Sequence, residues 1–94
     1  MKDQKHTLDF QALSHPVRLN ILKTLTRGSI CVCDLVKLTG KRQPFISQHL
    51  SILRQAGLVT TRREGWNIYY QLNYAKLAEL EQIILALLQQ VNRT

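Results

Sequence analysis

Between Ser29 and Leu72 the spacing of the apolar residues changes its period once, and that change leaves few folds open to the chain. Ser29 to Gly40 carries Cys31, Cys33, Leu35, Val36 and Leu38, and is expected to be a short helix. Lys41-Arg42-Gln43-Pro44 reads as a turn. Ile46, Leu50 and Leu53 then recur at i, i+4 and i+7, one face of a second helix that Gly57 ends. Leu58–Arg63 and Asn67–Leu72 are rich in β-branched and aromatic residues around Glu64-Gly65, which is a hairpin pattern, with Trp66 leaving the loop length open. Two helices joined by a short turn make a helix-turn-helix, and the hairpin behind it makes a wing.

The flanks supply the rest of a small domain. Thr7 to Leu13 fits a short first helix. Ser14-His15-Pro16 is a helix start, with Ser14 expected as the cap and Pro16 in the first turn, where a missing N–H costs nothing. Val17, Ile21, Leu22 and Leu25 continue at helical spacing to Gly28. From Tyr74 to Val91, Leu77, Leu80, Ile84, Leu87 and Val91 are spaced 3, 4, 3, 4, a heptad-like seam that Ile83, Leu85 and Leu88 widen. That face exceeds what a small domain needs for itself. The expected architecture is mainly α with one hairpin, a winged helix-turn-helix in the order ααααββα. It forms one domain over residues 1–94, with the core at Leu13, Val17, Ile21, Leu25, Leu35, Ile46, Leu50, Leu53, Leu58, Ile68 and Leu80.

The charge points to a polyanion. The chain carries a net charge of +7, and Lys41, Arg42, Arg54, Arg62 and Arg63 fall close together. On the second helix of the pair, Gln43, Ser47, Gln48 and Ser51 lie off the apolar stripe. Gln can read adenine bidentately and Ser can meet either kind of base edge in the major groove. Arg54 with Lys41 and Arg42 suits phosphates, and Arg62 and Arg63 at the wing tip suit the backbone or the minor groove. His49 suits a phosphate, a base or a brace for the turn. Trp66 is expected to cap the hairpin, and Tyr69 and Tyr70 to pack in the core and dimer. Each polar residue alone is also what a solvated helix face looks like; the set with its basic flanks is not.

No apolar run reaches the roughly 18 residues of a membrane span, and Met1-Lys2-Asp3-Gln4-Lys5-His6 has no apolar leader core, so a cytoplasmic protein with no membrane partner is expected. The chain has two cysteines, as Cys31-Val32-Cys33. In that compartment both thiols are expected free, and a bridge between i and i+2 is expected to be strained. In a regular helix these positions point roughly 200° apart, so a shared ion would require a distorted first turn. Two small buried hydrophobes are the plain alternative. The chain has no phosphate-cradling glycine loop, paired-carboxylate site or His–Cys triad; no enzyme and no organic cofactor are expected.

Three stretches carry a resemblance. Leu13-Ser14-His15-Pro16-Val17-Arg18-Leu19-Asn20-Ile21-Leu22 resembles the second-helix signature of the ArsR/SmtB transcriptional repressors. Cys31-Val32-Cys33-Asp34-Leu35 resembles their third-helix metal box. Ser47-Gln48-His49-Leu50-Ser51-Ile52-Leu53-Arg54-Gln55-Ala56-Gly57-Leu58-Val59 resembles their recognition helix running into the wing. The resemblance implies a homodimer through the first and last helices, with Leu8, Leu77, Leu80, Ile84, Leu87, Leu88 and Val91 at the interface. It also implies binding to an inverted repeat in duplex DNA of the promoter, and release by an inducer.

Within that box, Cys31 and Cys33 are expected to hold a thiophilic inducer: arsenite, antimonite, Cd, Pb, Hg or Cu(I). The chain departs from the three-sulfur pattern, having Val36 and Lys37 where some members place another cysteine. Asp34, His6, His15, solvent or a partner subunit are the candidates for a third donor. The last helix offers only Glu79 and Glu81, expected as solvated charges and no zinc site. Two other readings stand beside this one: a redox or reactive-sulfur sensor on the same fold, and an RNA-binding or architectural module, which the lack of stacking aromatics on the polar faces disfavours.

Overall fold

A computed structural model describes residues 4–93, with side chains from His6 to Val91; the first residues of the leader argument lie outside that range. Five helices and three strands follow in the order α1 (Gln4–Leu13), α2 (Pro16–Leu25), β1 (Ile30–Cys31), α3 (Val32–Thr39), α4 (Gln43–Gln55), β2 (Val59–Glu64), β3 (Asn67–Leu72) and α5 (Tyr74–Arg93). The expected elements are present, with one addition. Strand β1 has two residues and pairs antiparallel with β3, Ile30 opposite Tyr70 and Cys31 opposite Tyr69. The sheet order is therefore β1-β3-β2, and α3 starts at Val32 rather than near Ser29.

Local chemistry sets the boundaries. The cap of α2 is His15, not Ser14: its Nδ1 accepts the Val17 N–H at 3.1 Å, while the Ser14 hydroxyl turns back to the Gln11 carbonyl. Gly40 closes α3 in the left-handed region at φ +69°, where a Cβ would be strained. Lys41 and Arg42 then complete the short turn into α4, with Pro44 in its first turn. Gly65 and Trp66 form a two-residue loop between Glu64 and Asn67, with glycine first at φ +60°, as one of the two favoured hairpin turns requires.

The interior is built from Ile21, Leu25, Leu35, Ile46, Leu50, Leu53, Leu58 and Val59, all fully buried. Leu13 and Val17 sit at its edge. Ile68, expected inside, is 36% exposed, because β3 runs past the core towards the wing tip and pairs there with Arg63. Leu80, expected both in the core and at a dimer seam, is 3% exposed and belongs to this core. The first half of α5 packs on its own domain; beyond it Ile84, Leu85, Leu87, Leu88 and Val91 lie open, as does Leu8 on α1. No helix among the described residues is long and apolar enough to cross a membrane.

A buried ion pair fastens α1 to α5. Lys76 Nζ lies 2.9 Å from Asp9 Oδ2, with both side chains nearly sealed from solvent. The bond to Asp9 outweighs the cost of burial and raises the Lys76 pKa, with Glu79 adding to the effect. Glu79, expected as a solvated charge, is half-exposed and stands 3.7 Å from Lys76 and 4.0 Å from His6.

Candidate functional site

Helix α4 separates its two faces cleanly. Ile46, His49, Leu50 and Leu53 turn inward, while Gln43, Ser47, Gln48, Ser51 and Arg54 are exposed along the outer face. Lys41 and Arg42 precede them in the exposed turn. No acidic residue occupies the first turn of α4, so its positive N-terminal end remains available to a phosphate. Ser51 takes a bond from Gln55 Nε2 at 3.4 Å. Phe45, to which the sequence reasoning gave no role, is 37% exposed in the first turn of α4 and its ring meets His49.

Of the roles open for His49, a phosphate contact, a base contact or a brace for the turn, its place on the inner face of α4 fits the brace. It is 7% exposed, and its ring meets Phe45 edge-on at 4.6 Å and His15 at 4.5 Å. Its Nδ1 stands 3.2 Å from Arg18 Nη1. Burial first, then the neighbouring His15 and Arg18, lower its pKa from the ordinary imidazole value, which favours the neutral ring. Arg18 lies in the quoted α2 signature, but sequence reasoning assigned it no role.

The wing carries Arg62 and Arg63 on opposite faces of β2. Arg62 is engaged within the wing, 3.1 Å from Glu64 and over the Tyr69 ring at 5.5 Å. Arg63 is exposed. Trp66, expected to cap the hairpin, caps nothing: it is 101% exposed at the tip. Tyr70 packs against the core, as expected.

The two cysteines overturn the expectation of free thiols. Cys31 and Cys33 are joined as a disulfide with their Cα atoms 5.4 Å apart, inside the span that a bridge needs. The condition set for a shared ion, a first turn that is not regular helix, is met because Cys31 is not helical. It ends β1 with extended backbone and caps α3, its sulfur accepting the Asp34 N–H at 3.3 Å. The step from strand to helix turns the two side chains towards each other. Both sulfurs and an Asp34 carboxylate oxygen lie within 4.8 Å of one another, a donor set that fits a soft ion once the bridge is reduced. The other suggested donors are elsewhere: His6 sits by Asp9 and Glu79, and His15 stacks on His49.

A groove of about 180 Å³ joins this thiol site to the nucleic-acid face. Its walls are Cys31, Val32 and Cys33, then Gln43 at the start of α4, and Trp66, Asn67 and Ile68 of the wing. The two cysteines therefore share one groove with the start of α4 and with the wing.

Comparisons with known proteins agree with this arrangement. Residues 15–61 match the family described as "Bacterial regulatory protein, arsR family". The chain is 49% identical to an uncharacterized HTH-type transcriptional regulator of Methanocaldococcus jannaschii, over 73% of this chain and 80% of that one. It is 46% identical to the biofilm growth-associated repressor of Xylella fastidiosa, over 74% of this chain but only 61% of the repressor's length. Among solved structures it resembles a possible transcriptional regulator for arsenical resistance, with a TM-score of 0.77, 33% identity, and 84% and 82% of the two chains covered.

Proposed function

Since the chain belongs to the ArsR family of DNA-binding bacterial regulators, we propose that it is a homodimeric operator-binding repressor with a thiol trigger at Cys31 and Cys33. The outer face of α4 reads base edges in the major groove of an inverted repeat. Lys41, Arg42, Arg54 and Arg63 hold phosphates, Arg62 joining them if DNA displaces Glu64. The open stripe of α5 with Leu8 forms the dimer seam.

The observation that carries the trigger is the shared groove. Cys31 is hydrogen-bonded into the wing sheet opposite Tyr69, and the sulfurs wall the same groove as Gln43. Reduced Cys31 and Cys33, with Asp34, would hold a thiophilic ion such as arsenite, Cd²⁺, Hg²⁺ or Cu(I). The ion would supply strong bonds to sulfur. Rearranging the β1–α3 corner shifts Gln43 and the wing together, and both must be in place for a tight grip. The similarity to a regulator for arsenical resistance supports this choice of inducer.

The disulfide favours a second reading on the same residues. An oxidant takes two electrons and two protons from the thiol pair to form the bridge, and a thiol reductant restores them. Both readings make Cys31 and Cys33 the trigger and differ in what reaches them.

Fluorescence anisotropy on the chain's own upstream promoter duplex, at one fixed salt concentration, tests and separates the two. Reduced protein is expected to bind, and one of arsenite, Cd²⁺, Hg²⁺ or Cu(I) to release it. The double variant Cys31→Ser, Cys33→Ser is expected to bind and ignore every ion. Release by mild oxidant alone would move the assignment to the redox reading. Release of the double variant would refute both.

A further inference from the structure

The Arg18 guanidinium joins three elements at once. Its Nε donates to the Ala12 carbonyl at 2.6 Å and its Nη2 to the Gln11 carbonyl at 3.3 Å, both in the last turn of α1. Carbonyls there have no partner within the helix, and a cation suits the negative helix end. Its Nη1 meets His49 Nδ1 at 3.2 Å. Arginine cannot accept a hydrogen bond, so Nδ1 must accept, and the ring carries its proton on Nε2. His49 leaves α4 on the side away from Gln43, Ser47, Gln48 and Ser51, so it has no base to read.

We propose that Arg18 and His49 form a positioning strut that sets the angle of the reading helix α4 against α1, and that the strut holds only while the His49 ring is neutral. The inference rests on the operator-binding reading above. In a dimer built on α1 and α5, the two reading helices must reach half-sites about one helical turn of DNA apart. The orientation of α4 relative to α1 decides whether both reach at once. Arg18 is a direct polar tie between these two helices: it has α1 carbonyls on one side and an α4 side chain on the other.

Protonating His49 removes the acceptor and sets two cations face to face. The groups facing the ring are His15 at the start of α2, Arg18 further along α2, and the apolar Phe45 ring on α4 itself. None is acidic. Acid therefore breaks the strut without supplying a new partner. The sign follows: the neutral-ring contact is complete above the ordinary imidazole value and is lost as pH falls through the lowered His49 value. Selective operator binding falls with it.

The test compares the chain's own promoter duplex with a scrambled duplex of the same length. Folded His49→Phe and Arg18→Met, checked by circular dichroism, are expected to lose about tenfold in promoter affinity with scrambled-duplex affinity unchanged. His49→Asn, whose side-chain oxygen can take the Arg18 bond, is expected to recover most of it. That variant should also lack the wild-type fall in promoter preference as pH drops below the ordinary imidazole value. Three results would overturn the strut: full promoter affinity in folded Arg18→Met, equal losses on both duplexes, or His49→Asn as weak as His49→Phe. Should the variants not fold, the wild-type chain decides. A promoter preference that stays flat while NMR shows the His49 ring titrating refutes the proposal. A wild-type chain with no promoter preference at neutral pH refutes the operator reading itself, a failure visible before any variant is made.

Discussion

The double substitution Leu87→Glu, Leu88→Glu is expected to leave a folded monomer and to weaken binding to an inverted repeat by about a hundredfold or more, the scale on which a second linked site contributes. Both residues lie beyond the part of α5 that packs on its own domain, and both are more than half exposed in the single chain. Charges there should cost the monomer little, because surface changes away from packing contacts seldom exceed about 0.5 kcal/mol. In a dimer they would face each other across an apolar seam. Sedimentation of the variant beside anisotropy on one-half-site and two-half-site duplexes checks both halves. Unchanged dimerisation, or equal losses on the two duplexes, would place the dimer seam elsewhere.

The second large effect is on base reading. Gln48→Ala is expected to lower promoter affinity by about ten- to a hundredfold, the range for losing one bidentate base contact. Scrambled-duplex affinity should barely move, because Gln48 carries no charge and non-specific binding is mostly phosphate neutralisation. Helix stability should hold, since Gln48 is exposed and alanine is the better helix former. Anisotropy at matched salt gives both numbers. Equal loss on both duplexes would show that Gln48 contacts backbone instead.

Where the sequence was readable, one physical cause made it so. Helix α4 buries one face and wets the other, so its stripe shows in Ile46, Leu50 and Leu53. His49 completes the same stripe: 46, 49, 50 and 53 are the inward positions of a single face. A brace was one of three roles open for it, and that spacing could have ranked the brace above a phosphate or a base. Strand β1 left no trace because two residues carry no period, and its bonds come from β3, far along the chain. Without β1, both cysteines fell inside a helix, so the strand-to-helix step that turns their side chains together left no sign in the sequence.

Leu80, expected in both the core and the dimer seam, shows a different limit. A heptad spacing records that residues share a helix face, not whether the face meets its own domain or another copy. Leu80 meets its own. Trp66 shows a third. An indole in a turn suggests packing, yet at the end of a protruding hairpin it stands fully exposed at the rim of the thiol groove.

The central claim is that the thiol pair, the start of the reading helix and the wing act as one unit. Trp66 is the single tryptophan of the chain and walls the groove that the sulfurs share with Gln43. The most direct test follows Trp66 emission and labelled-promoter anisotropy in the same cuvette while arsenite, and then each other thiophilic ion, is added to the reduced protein. The two signals should change together, at one stoichiometry, and neither should change in the Cys31→Ser, Cys33→Ser variant. DNA release with Trp66 unmoved, or a Trp66 response with DNA still bound, would contradict the coupling.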